Sequence, residues 1–301
     1  MGLFEKDTLK LLFNSLNKLE EGFSELMELK NNFINYNAMQ NVLNSVAEKM
    51  QNNYPYFHPL YAGQMLKPPH PIARAAYMLS MWINPNNHAL DGGRASSAME
   101  KEAVAEIAEM FSWKEHLGHL TSAGTTANLE ALWIAGETNP GKKIIASSQA
   151  HYTHSRISRV LKLNFESVDC DNSGKIDLNK LEDVLRKGDV GTVVATMGTT
   201  AAGAVDPLKE IMELKKKYGF RVHADAAYGG YFILADNLRE ETRKNFDLLQ
   251  EVDSIVIDPH KHGLQPYGCG CVLFKDTAVG KYYKHDSPYT YFSSDELHLG
   301  E

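Results

Sequence analysis

Residues 191–230 read GTVVATMGTTAAGAVDPLKEIMELKKKYGFRVHADAAYGG. An apolar run over 191–197 gives way to a small, polar loop; apolar residues then recur at helical spacing over 207–217, and 220–224 is apolar again before Asp225. A strand, a crossing helix and a second strand in that order make a βαβ unit, whose strands run parallel. The alternation continues in both directions, with strands expected near 117–121, 143–147 and 165–169 upstream and near 254–258 and 270–275 downstream. Helical segments fall between the first six strands, at about 125–137, 153–162, 177–187, 207–217 and 239–249. The predicted fold is therefore α/β, a seven-stranded, mostly parallel sheet with helices on both faces. No helix separates the last two strands, so the seventh is expected to run antiparallel.

Ahead of the sheet, residues 1–53 read as an N-terminal helical segment and 54–301 as the sheet domain. Leu9, Leu12, Leu16, Leu19, Phe23, Leu26 and Phe33 recur in steps of three and four, with Lys30 interrupting. Such a narrow stripe suits one amphipathic helix, packed either on its own domain or on a second subunit; the dimer contact is the favoured reading. Tyr54–Pro71 is proline-rich and reads as a linker, followed by a helix near 72–82 and a loop over 84–93. The next helix runs to about Phe111, with Ser96 or Ser97 as its cap.

Composition narrows the function. The chain has 301 residues, 43% of them hydrophobic and 23% charged, enough to bury a sizeable core and unlike a disordered polymer. A net charge of -7 argues against a general grip on nucleic acid. No run reaches the roughly 18 apolar residues of a membrane helix. Glu5, Lys6 and Asp7 are not followed by the apolar core of a secretory signal. Three cysteines, Cys170, Cys269 and Cys271, are too few for a disulfide framework, so a cytoplasmic location is expected.

In a parallel sheet the strand C-termini share one edge, and ligands bind in the loops beyond it. The polar loops after strands one, two, four, five and six should converge there. TSAGTTANLEAL (121–132) opens a helix with small residues, and free backbone N–H groups at such a start suit an anion. SSQAHYTHS (147–155) brings His151 and His154, either of which could cap a helix or lie flat on an aromatic ligand. Thr199, Thr200 and Gly203 form a tight polar loop. On the fifth strand Val222 and Ala224 face one side and His223 and Asp225 the other; Asp225 either caps the next segment or pairs with a buried cation. The sixth strand ends in DPHKHG (258–263), holding Lys261 between two histidines as a potential nucleophilic amine. An amine for an aldehyde, an acid for a pyridinium nitrogen, an anion cradle and a flat imidazole are together what pyridoxal 5'-phosphate requires.

On these residues the sequence resembles the group II pyridoxal-phosphate-dependent amino acid decarboxylases. The likeness runs over about 54–295 and is carried by DPHKHG, HADAAYGG, TSAGTTANLEAL, QAHY (149–152) and the GTT..G..D pattern ending at Asp206. It looks closest to the branch holding tyrosine, glutamate and diaminobutyrate decarboxylases. The resemblance implies the large domain of the fold-type I pyridoxal-phosphate enzymes and a homodimer. It also implies removal of CO2 from an aromatic, acidic or diamino L-amino acid. By motif, Lys261 would form the Schiff base, Asp225 would pair with the ring nitrogen, and His151 and Ala227 would cover the two ring faces. Ala123, Gly124 and Thr125, helped by His260, would hold the phosphate, and Thr199 would lie near the ring hydroxyl or the stacking histidine. In DSPYTY (286–291) Tyr289, or failing it Tyr291, would return a proton to the substrate carbon. The family continues into a small C-terminal domain, which this sequence is expected to lack.

Other chemistry on the same cofactor is the alternative, either the carbon–carbon lysis of sphingosine-phosphate lyases, which carry a similar lysine motif, or transamination. A non-catalytic cofactor-binding subunit is a third reading. No metal is expected. DCDNSGKIDLNK (169–180) imitates a calcium loop but ends in Lys180 where a bidentate Glu is needed, and a turn leading to a helix capped by Asp177 fits better. Cys269-Gly-Cys271 lacks a second ligand pair and reads as small residues entering the seventh strand. His58, Arg74, His88 and Arg94 have no spacing argument, and surface or capping roles are expected of them.

Overall fold

The computed structural model describes residues 4, 6–27, 34–61, 63–87 and 92–284. Tyr289, Tyr291 and His88 lie outside the described residues. The chain divides into two compact units, 1–84 and 85–301.

In the first unit, helices α1 (Thr8–Glu21), α2 (Tyr36–Met50) and α3 (Pro71–Ile83) follow one another. The amphipathic helix expected from the apolar stripe ends at Glu21, short of Phe23 and Leu26; Lys30 and Phe33 lie outside the described residues, and α2 begins beyond the stripe. Helix α1 ends at Gly22, and Asn35 starts α2 afresh, its side chain accepting the Ala38 N–H at 3.0 Å. Within this unit α1 packs on α3 and buries Leu12. Helix α2 buries none of its residues and exposes Tyr36, Met39, Val42, Leu43, Val46 and Met50.

The second unit opens with α4 (Arg94–Met110). Its N-cap is Gly93, not Ser96 or Ser97, which lie inside the first turn. The Ser96 hydroxyl goes instead to the Asn87 side chain and the Gly93 carbonyl. Next come β1 (Leu117–Thr121), α5 (Gly124–Thr138), β2 (Lys143–Ser147), α6 (Thr153–Val160), β3 (Phe165–Val168) and α7 (Leu178–Leu185). They are followed by β4 (Val190–Thr196), α8 (Leu208–Tyr218), β5 (Arg221–Asp225), α9 (Glu240–Asp247), β6 (Ser254–Ile257) and β7 (Gly270–Phe274). The seven strands form one sheet in the order β1-β7-β6-β5-β4-β2-β3. Strand β7 runs antiparallel to both β1 and β6, and the remaining pairs are parallel, as the missing helix before β7 implied.

Period-two alternation sends side chains to both faces, and both are covered. Ile145, Val193, Ala195, Val222, Ala224, Ile255 and Ile257 meet α4, α7, α8 and α9 through Ile107, Phe111, Leu181, Leu208, Ile211 and Phe246. Their neighbours Ile144, Ala146, Val194, Val256 and Val272 meet α5 and α6 through Ala127, Ala131, Leu132, Ala135 and Ile157. Helix α5 joins β1 at one edge to β2 well across the sheet, and it packs over β7, β6, β5 and β4 on the way. The helix start thereby stands at the C-terminal end of β6, with Gly124 against Asp258.

The calcium-like stretch is a turn. Asp171 Oδ1 accepts from Ser173 N, Ser173 Oγ and Lys175 N, Asp177 caps α7, and Lys180 Nζ pairs with Asp169 Oδ2 at 2.6 Å. Buried Asp206 ties this turn to the sheet by accepting Ile176 N–H at 2.7 Å and Thr196 N–H at 2.8 Å. Cys271 is buried in β7 between Leu120 of β1 and Ile257 of β6. No helix among the described residues is long and apolar enough to cross a membrane.

Candidate active site

Strands β5 and β6 are neighbours, with Asp225 opposite Val256 in their register. Asp225 ends β5, and Lys261 sits on the turn that follows β6. Asp225 is buried, and its Oδ2 accepts a hydrogen bond from His154 Nε2 of α6 at 2.8 Å while Oδ1 accepts the Ala227 N–H at 3.2 Å. Burial alone would push this carboxyl up. The His154 hydrogen bond, with the charges of His154 and Lys261, outweighs burial and holds it well below the usual carboxylate range. A desolvated site thus carries a fixed negative charge.

Behind Asp225 stands His223, two residues earlier on the same face of β5. Its Nε2 donates to Asn128 Oδ1 of α5 at 2.9 Å, and its Nδ1 accepts from Ser254 Oγ of β6 at 2.8 Å. Burial pushes this imidazole down to about 3, so it is neutral and serves as a strut between α5, β5 and β6. The rings of His154 and His223 lie edge to face, 6.4 Å apart.

On the turn after β6, Lys261 Nζ lies 2.8 Å from Asp258 Oδ2, the lysine side chain being 19% exposed. Burial raises the Asp258 carboxyl, opposed by Lys261 and His260. His260 is buried, donates from Nδ1 to the Cys269 carbonyl at 2.6 Å, and rests against the Tyr267 ring. Ala123 caps α5 with backbone only, and Gly124 is buried against Asp258, so a Cβ there would come within 2.6 Å of Oδ1. Thr125, in the first turn of α5, is exposed.

His151 opens the segment leading into α6. Its Nδ1 is 2.9 Å from Thr153 Oγ1, which orients the ring. Burial lowers its pKa, and it lies close enough to feel Asp225, Lys261, His154 and Asp258. Thr199 is buried, and its hydroxyl accepts the Ala204 N–H at 3.0 Å, closing its own loop. Ala227 follows Asp225 as a small, partly buried residue. Gly229 just beyond lies so close to the Met197 carbonyl that no Cβ could be fitted there.

Two participants take parts that the sequence does not single out: His154 has there only the cap-or-stack alternatives it shares with His151, and Asp258 has none. His154, rather than His151, holds Asp225; its signal is its place three residues further on, within α6, which turns it toward the sheet. Asp258 is the first residue of the lysine motif, and its signal is an aspartate ending an otherwise apolar buried strand. The arrangement can capture an aldehyde with an amine, hold a cationic ring nitrogen against a buried carboxylate, and receive an anion at a helix start.

Residues 136–282 match the model of the pyridoxal-dependent decarboxylase conserved domain. The chain is 33% identical over 219 residues to a probable L-tyrosine/L-aspartate decarboxylase of Methanosphaera stadtmanae, a match covering 71% of this chain and 56% of that protein. It is 30% identical over 260 residues to a protein of the same description from Methanococcus maripaludis, covering 83% of this chain and 67% of the relative. The crystal structure of mouse CSAD superposes with a TM-score of 0.76 at 22% identity, covering 95% of this chain and 62% of that one. This likeness is one of fold. The chain spans little more than half the length of the first of these relatives and about two thirds of the second.

Proposed function

Because this chain belongs to the pyridoxal-dependent decarboxylase family, we propose that it holds pyridoxal phosphate at the β5–β6 edge and removes CO2 from an L-amino acid. One observation carries the reading. A buried carboxylate kept ionised, Asp225, ends the strand beside the one that leads into Lys261. The residues fit the cofactor: a lysine amine, a buried anion, and a helix start whose N-cap, Ala123, makes no side-chain hydrogen bond to its N–H groups.

When bound, the cofactor supplies an aldehyde that captures amines and a cationic ring that draws electrons from the substrate's Cα. Lys261 presents its amine to that aldehyde. Asp225 would hold a proton on the cofactor's ring nitrogen by its charge. His154 keeps Asp225 ionised and in place. His151 would cover one face of the cofactor's ring, and the small Ala227 would leave room for the other. Backbone N–H groups at Ala123, Gly124 and Thr125 would hold the phosphate, helped by His260. Thr199 closes the loop after β4 against this edge. The Tyr289 hydroxyl, in the segment after the described residues, delivers a proton to Cα.

The substrate is an aromatic, acidic or diamino L-amino acid. The relatives' names, which pair tyrosine with aspartate, support the first two classes. The protein acts as a cytoplasmic homodimer; the free cysteines and the exposed apolar face of α2 support this reading.

The test is borohydride reduction after incubation with pyridoxal phosphate, read by peptide mass. Labelling at Lys261 is expected, followed by CO2 release with tyrosine, aspartate or 2,4-diaminobutyrate. Labelling without CO2 from any amino acid leaves a binding protein or another reaction on the cofactor. No labelling overturns the proposal.

A further inference from the structure

Asp258 is 3% exposed, and its two oxygens are used unequally. Oδ2 pairs with Lys261 Nζ at 2.8 Å, whereas Oδ1 is buried without a hydrogen-bond partner among the described residues. Both point at the start of α5, since a Cβ on Gly124 would lie 2.6 Å from Oδ1 and 2.7 Å from Oδ2. The carboxylate therefore occupies the positive end of the helix to which the cofactor's phosphate has been assigned. Two negative charges in one desolvated place repel strongly. Lys261 has the complementary difficulty, because an ammonium is no nucleophile and must lose a proton before it can act.

One transfer resolves both. We propose that Asp258 accepts the proton of Lys261 as the cofactor enters, exchanging its own charge at the start of α5 for that of the phosphate. An N–H bond breaks at Nζ and an O–H bond forms on the Asp258 carboxyl, leaving a neutral amine and a neutral acid. Asp258 is thus a proton-holding residue that acts through Lys261. The inference rests on the cofactor reading above and adds to it where the proton goes.

The surroundings agree. On its own turn Asp258 faces Lys261 and His260; Asp225 acts on it from β5, and Asp258 in turn acts on His151, Tyr231, Cys269 and Cys271. The start of α5 meets it with the backbone of Gly124. Burial, which opposes the charged form, raises the Asp258 carboxyl even beside two cationic or potentially cationic groups. The transfer also leaves a signature in the pH dependence. In the parent chain the lysine proton stays on the protein. In Asp258→Asn it passes to solvent, so by mass action cofactor affinity in the variant gains on the parent as pH rises, toward about tenfold per pH unit.

The experiment is an infrared difference spectrum of the full chain with and without pyridoxal phosphate. Loading should produce the C=O band of a protonated carboxyl. That band should move in D2O, move again when aspartate is labelled with carbon-13, and be missing from D258N. Cofactor affinities of parent and variant, measured by absorbance between pH 6.5 and 8.5, should diverge as described. Loading without a protonated-aspartate band overturns the inference, whether or not the variant folds. So does a band that survives in D258N, or an affinity ratio flat in pH. Failure of the parent chain to take up the cofactor is a separate result that removes the cofactor reading itself, and this inference falls with it.

Discussion

His154 Nε2 stands 2.8 Å from Asp225 Oδ2, with the two side chains 1% and 6% exposed. This buried contact joins α6 to β5 and sets the charge of the site. Removing one partner of such a pair leaves the other charge uncompensated in a dry place, at a cost of about 3–5 kcal/mol.

His154→Ala is therefore expected to lower stability by about that amount and to weaken cofactor capture. The acid limb of stability should move too. Asp225 is depressed in the folded chain, so its contribution is present above the unfolded-state pKa and is lost as pH falls through the folded one. With His154 removed, that loss begins at higher pH. Thermal melts of both proteins from pH 3 to 7 would show it, and coincident curves would count against the pairing.

Asp206 behaves in the opposite sense. Burial raises it to about 6, so the folded state binds its proton more tightly than the unfolded chain. Stability from this group is full below about 4 and is lost as pH rises to about 6, a change on the order of 3 kcal/mol. Asp206→Asn should abolish that slope. It should also cost about 1–3 kcal/mol at neutral pH, because the amide N–H₂ faces one of the two backbone N–H groups that Asp206 now satisfies. Denaturant titrations at pH 4, 5, 6 and 7 measure both effects.

Gly124→Ala places a methyl group against the Asp258 carboxylate. The carboxylate has to move, and Lys261 loses its partner. Weaker binding of pyridoxal phosphate, by about tenfold or more, is expected, together with a lower melting temperature because a buried ion pair is disturbed. Unchanged affinity would mean that the start of α5 is not part of the cradle.

Tyr289→Phe should take up cofactor like the parent and lose about 10²–10⁴-fold in decarboxylation, the range of a missing general acid. Tyr291→Phe should be nearly silent. The reverse pattern would move the proton donor by two residues.

Much of this arrangement could be read along the chain. Strand and helix periodicities are local, so the seven strands, the helices between them and the antiparallel β7 followed from patterns a few residues long. The parallel sheet then brought Asp225 and the lysine turn to one edge, because strand ends in such a sheet must share it. The N-terminal stripe misled for the same reason. Steps of three and four continue across Gly22 to Phe23 and Leu26, although the backbone ends the helix at Glu21.

By itself, then, the amino-acid order determined the element sequence, the α/β class and the motif residues of the edge, since each depends on neighbours in the chain. Tertiary structure alone decided that β7 slots between β1 and β6, that His154 rather than His151 reaches Asp225, and that Asp258 stands between Lys261 and the start of α5. Those three facts depend on groups far apart in the chain, whose distances are set by lateral strand order and helix packing, and no local period encodes either.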